Sequence, residues 1–220
     1  PMNNRLNISS NRRGLIVLSG GLDSTTLLYD YQERIGLAVS FDYGSKHNQS
    51  ELPFAVEHCE RLGIPHLTIP LAFIGQYFKS DLLLSGGDIP KGDYDEENMS
   101  ATVVPFRNGI MLSIAAGIAE SYGLDGIYNA IYPDCRSSFI EPMTKAVEAG
   151  TSNAVKLCAP YTDISKTDIA MRGRSLGIDY SRTWSCYEGG KVQCGVCATC
   201  RERREAIAGA GLQDPTKYLS

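Results

Sequence analysis

Residues 15–28 are Leu15-Ile16-Val17-Leu18-Ser19-Gly20-Gly21-Leu22-Asp23-Ser24-Thr25-Thr26-Leu27-Leu28. The four apolar residues at the start predict a buried parallel strand. The next three residues predict a turn that is too tight for ordinary side chains, and Asp23 begins a helix with N-cap and first-turn chemistry. Because such a loop points backbone N–H groups and hydroxyls at one place in front of a helix start, it predicts a phosphate site.

The glycine loop differs from the two best-known phosphate-binding loops. It lacks the Gly-Lys-Ser ending of a Walker loop and the three spaced glycines of a dinucleotide fingerprint. Its Ser-Gly-Gly-x-Asp-Ser pattern resembles the loop of the ATP pyrophosphatases (PP-loop enzymes), which split ATP between the α and β phosphates. The alternative is a serine-rich turn without a ligand.

Strands and helices alternate along the rest of the chain. Apolar runs predict strands at 15–18, 37–41, 66–69, 125–130 and 155–160, with helices between them. This spacing predicts an α/β fold with a doubly wound parallel sheet, Rossmann-like in its layers. We expect a nucleotide-binding domain over 14–180 and a C-terminal segment over 181–220 packed on the same domain. The polar, breaker-rich residues 79–105 are typical of a lid over the nucleotide or a disordered segment.

Composition limits the class of protein. The chain has 220 residues, a net charge of −4 and a pI near 5.4, which argue against general affinity for a nucleic-acid backbone. We expect no membrane-spanning segment and no signal peptide, and therefore a cytoplasmic location. An odd number of cysteines, seven, argues against a disulfide framework in such a chain.

Four of the seven cysteines lie close together near the C-terminus. Cys186 is followed after seven residues by Cys194, and Cys197 and Cys200 come at two-residue gaps. Thiolates at this spacing can bind one metal while the chain turns between them, and nearby glycines permit the turns. Four sulfurs without a water position predict a closed, structural Zn²⁺ site. An iron–sulfur cluster would use the same ligands, but closed Cys₄ zinc sites are the commoner use in a cytoplasmic fold.

A polar pentapeptide, Tyr132-Pro133-Asp134-Cys135-Arg136, follows the fourth predicted strand. Ligands of open parallel sheets bind beyond the carboxyl ends of the strands, where this peptide, the glycine loop and residues 41–47 should meet. Tyr132 can stack on a flat heterocycle, Asp134 can accept from a ring N–H, and Arg136 can hold a carboxylate in a forked pair.

Taken in order, these motifs resemble the 7-cyano-7-deazaguanine synthases, whose pathway leads to queuosine. The resemblance covers about residues 14–208. Its motifs are Ser19–Thr26, Phe41–His47, Val104–Asn108, Tyr132–Arg136, Lys166 within Ser-Lys-Thr-Asp, and the four cysteines. The pentapeptide and the cysteine quartet make the match specific to this family within the PP-loop superfamily, whose fold is of the adenine nucleotide alpha-hydrolase type.

The resemblance implies a reaction and a set of residues. Such enzymes adenylate 7-carboxy-7-deazaguanine with ATP, capture the acyl-adenylate with ammonia, and use a second ATP to convert the amide to the nitrile. ATP would be bound by Leu18, Ser19, Gly20, Gly21, Leu22, Asp23, Ser24, Thr25 and Thr26. The substrate would be bound by Phe41, Tyr43, Tyr132, Asp134 and Arg136. The chemistry would be carried by Asp23, Ser24, Lys46, Arg107 and Lys166. A homodimer and Mg²⁺ held chiefly by phosphate oxygens are also implied.

Other basic residues have simpler interpretations. We expect His47 to cap or pack, and His58 and His66 to be structural. Arg201, Arg203 and Arg204 alternate with acidic residues, which is typical of a solvated helix face.

Three alternative functions stay open at this point. In the family, the strand before the pentapeptide commonly ends in a glycine and a short acidic stretch, whereas here residues 127–131 run straight into Tyr132. A wider opening there would admit a larger amine, such as one on a partner protein, to the same adenylate. A PP-loop tRNA thiolase would need a cysteine free to carry sulfur. A nucleotide-sensing module would bind ATP without forming AMP.

Overall fold

The computed structural model describes residues 6–92, 100–130 and 137–220. In chain order its elements are β1 (Gly14–Val17), α1 (Leu22–Asp30), β2 (Ile35–Asp42), α2 (Asn48–Leu62), β3 (His66–Pro70), α3 (Ala72–Tyr77), α4 (Arg107–Ser121), β4 (Gly126–Asn129), α5 (Ser137–Gly150), β5 (Lys156–Cys158), α6 (Lys166–Ser175), a 3₁₀ turn (Tyr180–Arg182) and α7 (Ala198–Gly209).

The strands form one parallel sheet in the order β3-β2-β1-β4-β5. Val17, the last residue of β1, lies beside Val39 of β2 and Asn129 of β4. From β1 the chain adds β2 and β3 towards one edge of the sheet, and it then returns to add β4 on the other side of β1. The direction in which strands are added therefore reverses next to β1. Ligands of open parallel sheets bind at such a point. The predicted doubly wound sheet is therefore confirmed, and the glycine loop follows its central strand.

Both faces of the sheet are covered by helices. Leu15 and Leu112 of α4 belong to one buried cluster, while Ile16 and Leu27 of α1 belong to the other. Leu15, Ile16, Leu27 and Leu112 are fully buried, and burial of each such side chain contributes roughly 1.5–3 kcal/mol. This two-sided burial explains why β1 is a continuous apolar run, and it anchors the loop that follows.

The predicted elements match those of the structure, with differences at their ends. All five strands lie at the predicted places, within three residues at each end. The sequence predicts a helix from about residue 50 and another over 141–149, and α2 and α5 begin two and four residues earlier than these positions. Ser165 caps α6 as its sequence predicts, because its hydroxyl accepts a hydrogen bond from the Asp168 N–H at 3.1 Å.

The breaker-rich segment after residue 79 is more firmly packed than its sequence indicates. Leu82 and Leu83 are fully buried, and Ile89 is nearly so. Leu83 forms an antiparallel bridge with Ser45, and Lys91 forms one with Cys197. The described part, up to residue 92, is therefore tied to the site edge of the sheet and to the cysteine cluster. The predicted lid role stays a prediction, and residues 93–99 lie outside the described residues.

One residue of the predicted solvated helix face, Arg203, was predicted wrongly, whereas Arg201 is exposed as expected. Arg203 of α7 is 1% exposed, so it does not lie on a solvated face. Its guanidinium donates to the Tyr180 carbonyl at 2.6 Å and to the Thr183 hydroxyl at 2.8 Å. Alternating charges on a helix do not show which charged side chain turns inwards, and here the polar partners come from the preceding connection. Arg203 therefore fastens the C-terminal helix to the segment that carries Cys186.

One segment, Ser100–Ser121, passes the length and composition test for a membrane-spanning helix, with a mean hydropathy of 1.3. The prediction that no stretch is long and apolar enough to cross a membrane therefore fails for this segment, by length and composition alone. In the fold, Leu112, Ala115 and Ala119 of this segment are fully buried, because α4 covers one face of the sheet. A helix that packs on a sheet needs the same apolar residues.

Candidate active site and metal centre

A cavity of about 240 Å³ lies at the carboxyl ends of β1, β2 and β4. Its walls include ten of the predicted site residues: Leu18, Ser19, Gly21, Leu22, Asp23, Ser24, Phe41, Tyr43, Arg107 and Lys166. The nucleotide loop and the predicted substrate side therefore share one cavity. This arrangement would let a nucleotide phosphate meet a second substrate without either leaving the site.

The glycine loop is held by its own hydroxyls. The Ser24 hydroxyl accepts from the Ser19 N–H at 3.2 Å and lies 3.0 Å from the Ser19 hydroxyl. The Ser19 hydroxyl also accepts from the Gly21 N–H at 3.1 Å. Gly20 has φ 95°, and a Cβ there would stand 2.3 Å from the Glu51 carbonyl oxygen. Only glycine fits this close approach of the loop to α2.

Three residues of the predicted ATP-binding set lie behind the cavity. Gly20, Thr25 and Thr26 are not among its walls. The Thr26 hydroxyl donates to the Leu22 carbonyl at 2.8 Å and lies 2.9 Å from the Tyr180 hydroxyl, so it is engaged within the fold. Thr25 is fully buried. Sequence position in the loop does not distinguish these inward side chains from those that face the ligand.

Lys166 lies between two carboxylates at one end of the cavity. Its ammonium is 2.5 Å from the Glu202 carboxylate and 3.5 Å from that of Asp23. Burial raises the pKa of Asp23, and the Lys166 ammonium acts in the opposite direction. The Oδ1 atom of Asp23 is buried without a hydrogen-bond partner among the described residues. Such an oxygen fits a cation ligand, and this end of the cavity fits a charged phosphate chain with its cation.

Aromatic and basic side chains meet at the end of β2. The Arg107 guanidinium donates to the Tyr43 hydroxyl at 3.2 Å and lies 5.7 Å from its ring centre. Burial raises the pKa of Tyr43, so its hydroxyl stays protonated. Phe106, just before Arg107, has φ 51°, and a Cβ on Gly109 would stand 2.3 Å from its ring. This strained turn, accommodated by a glycine, directs Arg107 to the cavity.

Lys46, the third basic residue of the predicted catalytic set, lies outside the cavity wall. It is not among the walls of the cavity, and its ammonium donates to the Asp81 carbonyl at 2.7 Å and to the Gly87 carbonyl. These contacts tie the segment after residue 79 to the end of β2. The structure thus separates Lys46 from Arg107 and Lys166, the other basic residues of the predicted catalytic set.

Three predicted substrate-binding residues, Tyr132, Asp134 and Arg136, lie outside the described residues. Neighbouring Asn129 and Ala130 line the cavity, so the chain enters the undescribed segment at its edge. The substrate-binding roles of Tyr132, Asp134 and Arg136 stay predictions, as does the effect of the shortened strand end.

Sequence reasoning missed part of the cavity wall. His47 and Glu51 line it one helical turn apart, and Trp184, Tyr187 and Glu202 line it from the C-terminal segment. The i, i+4 spacing of His47 and Glu51 after a strand end was an available signal. His58 and His66 are structural, as expected: His58 bonds the Tyr29 hydroxyl at 3.0 Å, and His66 the Ser40 hydroxyl at 2.7 Å.

The four C-terminal cysteines converge. The sulfurs of Cys186, Cys194, Cys197 and Cys200 all lie within 4.8 Å of one another. The N–H groups of Val196 and Cys197 donate to the Cys194 sulfur at 3.4 and 3.3 Å. Hydrogen bonds from the neighbouring thiols, that of Cys186 first, lower the pKa of Cys197. Converging sulfurs with N–H donors fit a tetrahedral thiolate metal site.

The cysteine cluster adjoins the cavity through its backbone. Trp184, Ser185 and Tyr187 line the cavity on either side of Cys186. The Trp184 indole donates to the Cys186 carbonyl at 2.7 Å. Gly195 has φ 82°, and a Cβ there would stand 2.3 Å from the Ser220 carbonyl oxygen. The cysteine turns therefore hold one wall of the cavity.

Fold and site together define a PP-loop protein of the ATP pyrophosphatase type. One solved structure, a 4-thiouridine synthetase in complex with RNA and ATP, has a TM-score of 0.52 at 14% identity. It covers 93% of this chain and 53% of its own, and at this identity it supports the fold alone.

Sequence comparison identifies the family. The family model described as "Queuosine biosynthesis protein QueC" matches residues 13–211. A 7-cyano-7-deazaguanine synthase of Porphyromonas gingivalis is 67% identical over 211 residues, covering 93% of this chain and 96% of its own. One of Desulfotalea psychrophila is 49% identical, covering 93% and 98%. The chain belongs to the QueC family.

Proposed function

We propose that the chain is a 7-cyano-7-deazaguanine synthase, an ATP-dependent ligase that converts 7-carboxy-7-deazaguanine to the amide and then to the nitrile. The observation that carries the proposal is the shared cavity: the phosphate loop and an aromatic, arginine-bearing wall face the same space. Relatives with 67% and 49% identity bear the same name. The protein-conjugation, thiolase and sensor alternatives are not favoured.

The reaction needs a better leaving group than a carboxylate provides. In the first step a carboxylate oxygen attacks the α-phosphorus of ATP, and pyrophosphate departs. Ammonia then attacks the acyl carbon and AMP leaves with the bonding electrons, which lowers the barrier to C–N bond formation. A second adenylation, on the amide oxygen, followed by loss of AMP, gives the nitrile. The protein must align like charges and exclude water.

We assign the residues by position in the cavity. Ser19, Gly21 and Ser24 bind the β and γ phosphates, and Lys166 neutralises developing charge between Asp23 and Glu202. Arg107 neutralises negative charge beside the substrate, and Tyr43 positions Arg107. The Thr26 hydroxyl is engaged within the fold, and the ATP-binding roles predicted for Gly20, Thr25 and Thr26 stay predictions. The predicted roles of Tyr132, Asp134 and Arg136 in binding the deazaguanine are retained.

Two metals belong to the proposal. Zn²⁺ would be held by Cys186, Cys194, Cys197 and Cys200, where it stabilises the C-terminal wall. Mg²⁺ would be held chiefly by ATP oxygens, with Asp23 as the nearest fitting carboxylate, and would screen phosphate charge. We further propose a cytoplasmic homodimer, with small-molecule substrates and no membrane or direct nucleic-acid partner.

The test is a product analysis with the purified full chain. We expect 7-carboxy-7-deazaguanine, ATP and ammonium to give AMP, the amide and then the nitrile, detected by mass spectrometry. ADP in place of AMP would contradict cleavage between the α and β phosphates. AMP formation or ligation that requires a protein partner would contradict ammonia as the acceptor. A control without the deazaguanine acid shows whether ATP cleavage depends on adenylation.

A further inference from the structure

We propose that His47 and Glu51 form the site that binds an ammonium ion and removes its proton before the amide is made. This inference rests on the proposed function, because it concerns the amine that the adenylate would meet. Both residues line the cavity and both are buried, His47 at 6% and Glu51 at 8% exposure. Neither was assigned a chemical role from the sequence.

The two side chains face each other from successive turns of one helix start. The Nε2 atom of His47 lies 3.4 Å from the Glu51 carboxylate and 3.4 Å from the Tyr43 hydroxyl. Asn48 donates to the same Glu51 oxygen at 3.4 Å, which fixes the carboxylate. The Nδ1 atom of His47 is buried and has no hydrogen-bond partner among the described residues. A buried nitrogen without a partner at a cavity wall indicates a ligand.

The charges of the cavity separate this site from the phosphate site. Asp23 and Glu202 share the Lys166 ammonium, whereas Glu51 is paired with His47. The Glu51 carboxylate faces an imidazole rather than a permanent cation such as the Lys166 ammonium, so it can receive another cation. Glu51 is therefore the carboxylate of this wall that can accept an ammonium ion in place of its partner's charge.

Aromatic rings complete the surroundings. The Tyr187 ring lies 5.5 Å from that of His47, and the Tyr43 ring lies 6.2 Å from it. A small cation is attracted to the faces of aromatic rings as well as to a carboxylate. A phosphate or carboxylate group would instead be repelled by Glu51 at this wall. The chemistry of the wall thus selects a small cation, which ammonium is.

The proton balance explains why a base is needed. Ammonium has no lone pair, so one proton must pass to the His47 imidazole before the nitrogen can attack. The C–N bond then forms from the nitrogen lone pair, the C–O bond to AMP breaks, and its electrons stay on the AMP oxygen. The second proton leaves with the departing AMP. The amide keeps two of the four ammonium protons, and His47 returns its proton to solvent.

Two variants of the full chain, His47→Gln and Glu51→Gln, test the proposal first in two assays. Pyrophosphate–ATP exchange with 7-carboxy-7-deazaguanine measures adenylation without an amine, and amide formation is measured against ammonium concentration. We expect His47→Gln and Glu51→Gln to keep exchange within about 3-fold of the unchanged chain. Amide formation should fall about 10²–10³-fold in His47→Gln, the range of general base catalysis. The KM for ammonium should rise at least about 10-fold in Glu51→Gln, because a charged contact is lost.

Hydroxylamine separates proton removal from structure. It is already unprotonated at neutral pH, so His47→Gln should form the hydroxamate within about 3-fold of the unchanged chain, since no general base is needed. His58→Gln is the matched control, because His58 is a buried histidine of the same helix that does not line the cavity. It should change the two assays in equal proportion.

The possible results of these assays distinguish failure of this inference from failure of the proposed function. Unaltered amide formation and ammonium KM in both variants would overturn the inference alone. Loss of exchange together with amide formation in both variants would overturn it too, because the pair would then support the nucleotide site or the fold. Failure of hydroxamate formation in His47→Gln, with exchange intact, would overturn the proton-acceptor role. Absence of exchange in the unchanged chain would overturn the proposed function and, with it, this inference.

Discussion

Two walls of the cavity are built in different ways. The glycine-loop wall, residues 18–24, follows the central strand and is held by hydroxyl–backbone bonds within five residues. The C-terminal wall, residues 184–202, has no strand beneath it and is held by converging cysteines and by the buried Arg203. The first wall is formed whenever the sheet folds. The second would depend on the metal that its four cysteines are proposed to bind, so this wall could lose its order while the sheet stays folded.

The largest expected effect comes from removing the metal. Chelation, or Cys197→Ser, should reduce AMP formation about 100-fold or more, because the turns of the C-terminal wall would lose the metal that holds them together. Trp184 is the only tryptophan, so its fluorescence reports this wall directly. Its emission should shift to the red while far-ultraviolet circular dichroism changes little.

The matched control is Cys158→Ser, which changes a cysteine of β5 outside the cluster. It should leave metal content and Trp184 emission unchanged. If verified metal loss left emission and activity intact, the C-terminal wall would stand without its metal, and the contrast between the walls would be wrong.

The second effect concerns the cation that joins the two walls. Lys166→Gln leaves Asp23 and Glu202 facing each other without the ammonium between them. We expect pyrophosphate–ATP exchange to fall about 10²–10³-fold, because one preorganised charge contact is lost in the transition state. Lys156→Gln changes an exposed lysine of β5 and should alter exchange less than about 2-fold. Equal exchange in the two variants would show that Lys166 only stabilises the fold.

The third test concerns the packing of the glycine loop on α2. Gly20→Ala should destabilise the fold by roughly 2–4 kcal/mol, measured by denaturant unfolding, because φ 95° is strained and the Cβ meets the Glu51 carbonyl. Gly63→Ala also adds a Cβ at positive φ, but nothing lies within 4 Å of it. Its cost should be about 1 kcal/mol, that of the left-handed conformation. Equal costs would show that close approach is unimportant in this wall.

The smallest effect is a pH-dependent gain in stability. Burial raises the pKa of Asp23 above 3.8, so ionisation costs folding energy as pH rises through the folded-state value. Asp23→Asn should therefore raise Tm at pH 7 by roughly 2–4 °C, about 1 kcal/mol, with little gain below pH 4. AMP formation should fall at the same time. Exposed Asp163→Asn is the control, and a gain larger at pH 4 than at pH 7 would reverse the sign of the argument.

Much of the fold could be predicted because its signals are local. The apolar run before Ser19 and the Ser165 cap each depend on a few neighbouring residues, and both are found in the structure. The family followed from motifs that keep their order along the chain. The site was harder to predict, because the positions of the Lys46 and Arg203 side chains depend on contacts with residues far away in the sequence.

The sequence alone therefore determined the fold class and the kinds of site: an α/β fold, a phosphate loop after β1, and a set of cysteines with metal-binding spacing. These properties depend on backbone conformation and on spacings of a few residues. Only the tertiary structure decided which side chains share the cavity, bringing Lys166 and Glu202 to Asp23 and placing His47 beside Glu51. The physical reason is that a side chain's direction and burial are set by the elements packed against it, which lie far away along the chain.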